Sequence, residues 1–314
     1  MSEFFIGLLV GLSSGATYAI IALGYTMVYG IAKMLNFAHG DVIMLSGFVM
    51  YELAITGKGL FAKPLADALA VETGNKLIWV LLLLAIVAIS MLISLLIGVL
   101  IERLAYRPLR GASPLAVLIT AIGVSYLLQS IAQIRYGTNG AMLEYMQING
   151  APADNSLIDY HTIVTVAVSF VIMLALTLFV KYSKTGRAMV AVSEDRGAAQ
   201  LMGINTNKII AITFAIGSAL AAVAGFFMMT KGDNIVPTLG AMPGIKAFTA
   251  AVIGGIGSIP GAMLGGILLG LIEGVCYSFT AISPFATAIE FAVLIVILMV
   301  KPAGLLGKAR KEKV

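Results

Sequence analysis

The sequence predicts an all-α fold: a polytopic bundle of helices crossing a membrane. Three observations carry that expectation. Hydrophobic residues make up 60% of the 314 positions and charged residues only 11%. Mean hydropathy is +1.02, well outside the range of a chain that must keep a polar surface in water. The apolar residues also fall into runs long enough, or nearly so, to cross a hydrocarbon core of about 30 Å.

The first run extends from Phe4 to Tyr29. It follows an acidic start, Met1-Ser2-Glu3, which argues against a cleaved signal peptide with a basic head. Further runs cover Val42 to Ile55, Leu77 to Ile101, Leu115 to Ile134, Ile163 to Val180, Ile209 to Met229, Ala262 to Tyr277 and Phe285 to Val300. A shorter piece, Ala247 to Ile256, is either a ninth span or a re-entrant helix. The expectation is one transmembrane domain over residues 1–314 with about eight or nine segments, some of them broken or re-entrant.

Orientation follows from Lys and Arg, which are retained on the cytoplasmic side. One cluster is Arg103, Arg107 and Arg110; a second is Lys181, Lys184, Arg187, Arg196 and Lys208; a third is Lys301, Lys308, Arg310, Lys311 and Lys313. With Lys33 these hold most of the 20 basic residues. The others, Lys58, Lys63, Lys76, Arg135, Lys231 and Lys246, fall in the alternate loops. The polar bridge at about 181–208 and the tail at 301–314 are thus expected in the cytoplasm and the N-terminus outside, with an odd number of crossings. The basic tail reads as a topology signal, and a net charge of +5 gives no reason to expect a nucleic-acid partner.

Several chemistries find no support. Cys276 is the single cysteine, and with only His39 and His161 no metal-ligand cluster is legible. No G-x-x-x-x-G-K-[ST] phosphate loop is present, Gly240 to Lys246 having the wrong spacing. The outer loop between Arg135 and His161 is too short for a domain with its own core, which needs about 50 residues. No nucleophile has a recognisable base partner. The chain reads as the body of a channel or transporter that takes its energy and its receptor from elsewhere.

Within the polar bridge, Ser193 to Asn205 reads as a short helix made to touch another protein. Ser193 is expected to cap it, Glu194 and Asp195 to place negative charge at the positive end of its dipole, and Gly203 to close it with Ile204 packing back. A helix shorter than about 12 residues is marginal in water alone. Ala198 and Ala199 offer a face without bulk for close approach.

Inside the apolar runs, glycines recur every four residues: Gly7, Gly11 and Gly15; Gly257, Gly261 and Gly265; Gly266, Gly270 and Gly274. Each set makes a smooth stripe for helix packing. A second reading is a seam that slides or tilts, with Pro260 supplying a break. Glu273 and Glu290 lie in apolar surroundings, where a charge is expensive, and are expected to face protein or water. They read as buried interhelical hydrogen-bond partners or as a proton relay. Asn36-Phe37-Ala38-His39-Gly40-Asp41 interrupts an apolar stretch; it reads as a turn at the membrane surface or as a discontinuous helix lining a pathway.

These residues also carry a family likeness. Leu23-Gly24-Tyr25-Thr26-Met27-Val28-Tyr29-Gly30-Ile31 followed by Met34-Leu35-Asn36-Phe37-Ala38-His39-Gly40-Asp41 resembles the signature of LivH-type permeases of branched-chain amino acid ABC importers. Glu194-Asp195, Leu201 to Asn205 and Lys246 to Ala262 resemble further blocks of the same family. The resemblance implies a bacterial inner-membrane permease subunit without catalytic activity or cofactor of its own. Its implied partners are a second homologous permease, two cytoplasmic ATPase subunits that carry ATP and Mg, a periplasmic substrate-binding protein, and the lipid around it. It also implies that Glu194, Ala198, Ala199, Gly203 and Asn205 form the ATPase-coupling helix, and that Asn36, Phe37, His39 and Asp41 belong to the translocation path or a helix break. Asp41 stands where the family often has Glu. Permeases for urea or short amides share the Asn-Phe-Ala-His-Gly run and remain an alternative, as does a proton-coupled secondary transporter using Glu273, Glu290 or Asp41.

Overall fold

The computed structural model describes residues 2–53, 76–140 and 160–307. The expected outer loop (in part), Lys58, Lys63 and the basic tail from Lys308 onward fall outside the described residues. Among those described, the chain is helical: α1 (Ser2–Ala32), α2 (His39–Tyr51), α3 (Lys76–Ile101), α4 (Pro114–Tyr136), α5 (Tyr160–Tyr182), α6 (Lys184–Glu194), α7 (Arg196–Leu201), α8 (Thr206–Lys231), α9 (Ala241–Gly254), α10 (Ile259–Tyr277) and α11 (Ala286–Val300). Seven of these segments are long and apolar enough to cross a membrane. The chain is a multi-pass membrane protein.

Of the two remaining apolar runs, one forms α9, whose 14 residues span about 20 Å at 1.5 Å per residue and do not cross a core of about 30 Å alone. The other forms α2, which passes after Tyr51 into a π turn at Glu52 and Leu53, where this described segment ends. α2 starts only at His39 because the chain leaves helix after Ala32: Lys33 has φ 54, and His39 N–H bonds Asn36 O across a turn. Lys246, expected in a loop, instead lies within α9 and is buried.

The chain divides into two compact units, each discontinuous in sequence. The first comprises 1–34, 150–213 and 245–314. Its centre is an antiparallel pair, α1 on α10, in which the two glycine stripes meet. A Cβ on Gly11 would stand 2.5 Å from Gly270 O, and one on Gly7 would stand 2.6 Å from Gly274 O. Gly15 faces Gly266 in the same way. The third stripe closes a hairpin: Gly261 packs on Gly254, and Gly265 on Ala250. The turn between uses Gly255 and Gly257, at φ 103 and 95, conformations that side chains resist. Leu305 and Leu306 then donate backbone N–H groups to Ile253 and Gly254 carbonyls at 2.8 and 2.9 Å, satisfying acceptors that the end of α9 leaves open.

The second unit, 35–149 and 214–244, is built around α2. Nearly every α2 residue is buried. Ser90 Oγ on α3 donates to Ser46 O at 3.2 Å, Gly225 sits against Ser46, and Phe48 stacks on Tyr136 with centroids 4.1 Å apart. After α3 the helix widens into a π turn, Glu102–Tyr106, where Arg107 N–H reaches Glu102 O at 2.7 Å. Glu102 is buried and ion-paired to Arg110.

Because the α1–α10 contact is backbone against backbone, Gly270→Leu is expected to destabilise the protein by about 3 kcal/mol, the upper end of overpacking costs. Gly123→Leu, on α4 with nothing within 4 Å of its Cβ position, is expected to change little. Thermal unfolding of the purified variants in detergent measures both.

Candidate functional site

The polar bridge is not one helix but two, set at a corner. α5 ends at Tyr182, and Ser183 takes extended backbone and caps α6, its Oγ accepting from Gly186 N–H at 2.8 Å. Gly186 lies directly on the end of α5, where a Cβ would come 2.5 Å from Val180 Cα. Met189 and Val192 bury the inner face of α6. Asp195 then returns to extended backbone (φ −149, ψ 113), and its carboxylate accepts from Ala198 N–H at 3.0 Å to cap α7.

Two sequence expectations are corrected here. Ser193 is not a cap; it lies inside α6 and its hydroxyl donates to Val190 O. Glu194 is the last residue of α6 rather than part of the first turn of the docking helix. Sequence alone could not rank Ser183, Ser193 and Asp195, since each has a capping side chain. The stop is as expected: Gly203 has φ 80, its N–H bonds Gln200 O at 2.9 Å, and Ile204 N–H bonds Ala199 O at 3.0 Å. That pair of bonds is a Schellman closure, and Ile204 is half-buried.

α7 has six residues and, of these, buries only Ala199. Ala198 on the same short helix is exposed, so the alanine pair is split between an inner and an outer face. Leu201 and Met202 beside it are 91% and 82% exposed. The element is held from within by Arg196, whose guanidinium donates to Ala32 O in the last turn of α1, and by Gln200, which donates to Thr206 Oγ1 at 2.9 Å. Asn205 serves the next helix: its Oδ1 accepts from Lys208 N–H at 3.1 Å at the start of α8. Glu194 and Gly257, from two separate sequence motifs, line one cleft of about 780 Å³ in the first unit.

In the second unit the break before α2 carries buried polar side chains. Asn36 Oδ1 accepts from Tyr106 O–H at 2.9 Å, and Asp41 Oδ1 accepts from Gln129 N–H at 2.8 Å. His39 is 1% exposed, whereas Phe37 is half-buried. The backbones of Gly40 and Gly240, at the starts of α2 and α9, touch; a Cβ on either would strike the other's carbonyl.

Sequence reasoning missed the main electrostatic feature. Lys246 Nζ in α9 lies 2.6 Å from Glu273 Oε1 in α10 and 3.1 Å from Glu290 Oε1 in α11. Tyr277 O–H donates to Glu273 Oε1 at 3.1 Å, and Nζ stands 5.7 Å from the Tyr18 ring of α1. All three charged side chains are less than a tenth exposed. The signal available was a lysine within an apolar stretch that also had two carboxylates in neighbouring apolar stretches; assigning Lys246 to a loop hid it. Both carboxylates thus bind one ammonium, in keeping with the reading of them as interhelical partners.

Comparison with known proteins agrees with this architecture. A family model described as "Branched-chain amino acid transport system / permease component" matches residues 7–299. The chain is 42% identical to the high-affinity branched-chain amino acid transport system permease protein LivH of Escherichia coli (strain K12), over 97% of this chain and 96% of that protein. It is 43% identical to the corresponding protein BraD of Pseudomonas aeruginosa, over the same shares. No solved structure matches.

Removing the cation from a buried ion cluster strands its anions. Lys246→Met is therefore expected to cost about 3–5 kcal/mol. Lys246→Met combined with Glu273→Gln and Glu290→Gln, which leaves no charge behind, is expected to recover most of that loss. Thermal unfolding in detergent, compared across wild type, single and triple variants, reads the difference.

Proposed function

This chain belongs to the branched-chain amino acid transport permease family, and from that premise we propose that it is the membrane-spanning permease subunit of an ABC importer. Its cargo is branched-chain, aliphatic amino acids delivered by a periplasmic binding protein. It works in the bacterial inner membrane with a second homologous permease and two cytoplasmic ATPase subunits, which hold ATP and Mg. Residues 1–314 act as one permease domain, with the polar bridge and the C-terminus in the cytoplasm. Near-full-length identity of 42% to LivH is the observation that carries the cargo assignment.

The geometry supports a mechanical role for the bridge. A six-residue helix with Leu201 and Met202 in water has no stable form by itself, so a partner surface that covers those side chains stabilises it. ATP-driven closure of the ATPase pair displaces α7. Asp195, extended between two helices, takes up the change in angle, while Arg196 passes the displacement to the end of α1 through Ala32 O. α1 moves with α10, because their backbones are in contact along the glycine stripes. The path then opens outward to receive cargo, and hydrolysis returns it. The permease contributes two arrangements and different contacts in each, with no covalent chemistry.

The two alanines separate docking from folding. Ala198→Arg, on the exposed face, is expected to leave the protein inserted and stable but to reduce leucine uptake and uptake-linked ATP hydrolysis at least about tenfold, which corresponds to a coupling loss of roughly 1.4 kcal/mol. Ala199→Arg, on the buried face, is expected to lower the amount of folded protein instead. Uptake of labelled leucine by cells carrying the whole transporter, with ATPase rates in proteoliposomes, measures the first; normal import by Ala198→Arg would refute the docking assignment.

A further inference from the structure

The cleft of about 780 Å³ in the first unit gathers cations from three elements: Lys33 beyond α1, Lys181 at the end of α5, and Arg187 in α6. Glu194 is the one carboxylate among its described lining residues. Gly257, Ser258, Ile259 and Pro260 also line the cleft, at the start of α10, where Ser258 Oγ already caps the helix by accepting from Gly261 N–H at 3.2 Å. Three cations around one space, against one acid, make a site for an anion.

The lining is also amphiphilic. Val190 and Leu306 contribute to it and are 47% and 46% exposed. Beside it, Lys181 stands 5.2 Å from the ring of Tyr182, itself 65% exposed. An exposed tyrosine paired with a lysine at the end of a spanning helix is the arrangement that anchors at the headgroup layer. A small soluble anion has no use for exposed Val190 and Leu306, whereas a phospholipid fills both halves of the cleft. The exposed tip of α7, Leu201 and Met202, does not line it, whereas Glu194, at the end of α6 and in the expected coupling set, does.

We propose that this cleft binds the phosphate group of an anionic phospholipid, with Lys33, Lys181 and Arg187 on the headgroup and an acyl chain along Val190 and Leu306. Such a lipid touches the end of α1, α6 beside the coupling corner, and the start of α10, and ties these three elements together. The site stands whatever the cargo of the transporter is.

Native mass spectrometry of the full chain in detergent, titrated with phosphatidylglycerol, tests this. Each cation removed is expected to weaken binding about fivefold, and the triple variant K33Q/K181Q/R187Q about a hundredfold. A control triple, R103Q/K208Q/K231Q, removes the same formal charge outside the cleft and is expected to bind as wild type does. Equal binding by the two triples overturns the site. Glu194→Gln, which keeps all three cations, is expected to tighten binding about fivefold; should the first triple fail to fold, an unchanged affinity in Glu194→Gln overturns the proposal by itself. Full displacement of the lipid by millimolar inorganic phosphate would assign the cleft to a soluble phosphate and overturn the lipid reading.

Discussion

The backbone contact between α1 and α10 sets the geometry of the first unit. Lipid tails are as apolar as leucine side chains, so helices in a bilayer gain little by burying hydrophobic surface and must associate through close packing and polar contacts. Gly7, Gly11 and Gly15 against Gly274, Gly270 and Gly266 supply the closest packing two helices allow. Once α10 is fixed on α1, Glu273 is fixed beside Gly274, and the Lys246 ammonium of α9 is drawn to it. Glu290 of α11 completes the cluster. A seam with no side chains thus determines where charge is tolerated in the unit.

The same seam bears on how force moves through this unit. α7 is tied to α1 by Arg196 and Ala32 O, a charged donor on an acceptor that the helix end leaves unsatisfied. α1 and α10 have no side-chain layer between them that could absorb a small displacement by changing rotamers. In the mechanism proposed above, a push on this corner reaches α10 as a rigid-body tilt. Carrying protons through Glu273 and Glu290 would require both to be released in turn from Lys246, which holds them at 2.6 and 3.1 Å. The cluster is better suited to fastening α9, α10 and α11 than to relaying protons.

Most of the architecture was legible because the bilayer imposes a length and a composition on every spanning helix, and seven of the apolar runs meet both. The glycine stripes were legible as packing surfaces from their four-residue spacing, but not their pairing, since any smooth stripe fits any other. The corner between α6 and α7 was legible at its end and not at its start. Gly203 is a stop that few other residues replace, whereas Ser183, Ser193 and Asp195 compete as caps, and the winner depends on where α6 packs on α5. Tyr106 and Gln129, the partners of Asn36 and Asp41, come from elements 70 and 88 residues away and leave no local trace. Lys246 was lost for a different reason: positive charge was used to place loops, and a buried lysine with two carboxylate partners is the case that rule does not cover.

The start of α2 follows from the same constraint, since the open backbone groups of a helix end must find partners in protein wherever water is excluded. α2 starts without a side-chain cap, and Asp41 in its first turn supplies the negative charge its dipole favours. Gln129 holds that carboxylate, Tyr106 holds Asn36 just before it, and glycines at 40 and 240 let the starts of α2 and α9 touch. Tyr106 belongs to the π turn after α3, and π turns persist where a helix is interrupted for a purpose. The break at Asn36 to Asp41 is thus held by partners on two other helical segments of its unit, α4 and the π turn. Irregular backbone with that many buried polar contacts is a built feature of the second unit, since a simple surface turn would leave Asn36, His39 and Asp41 to water.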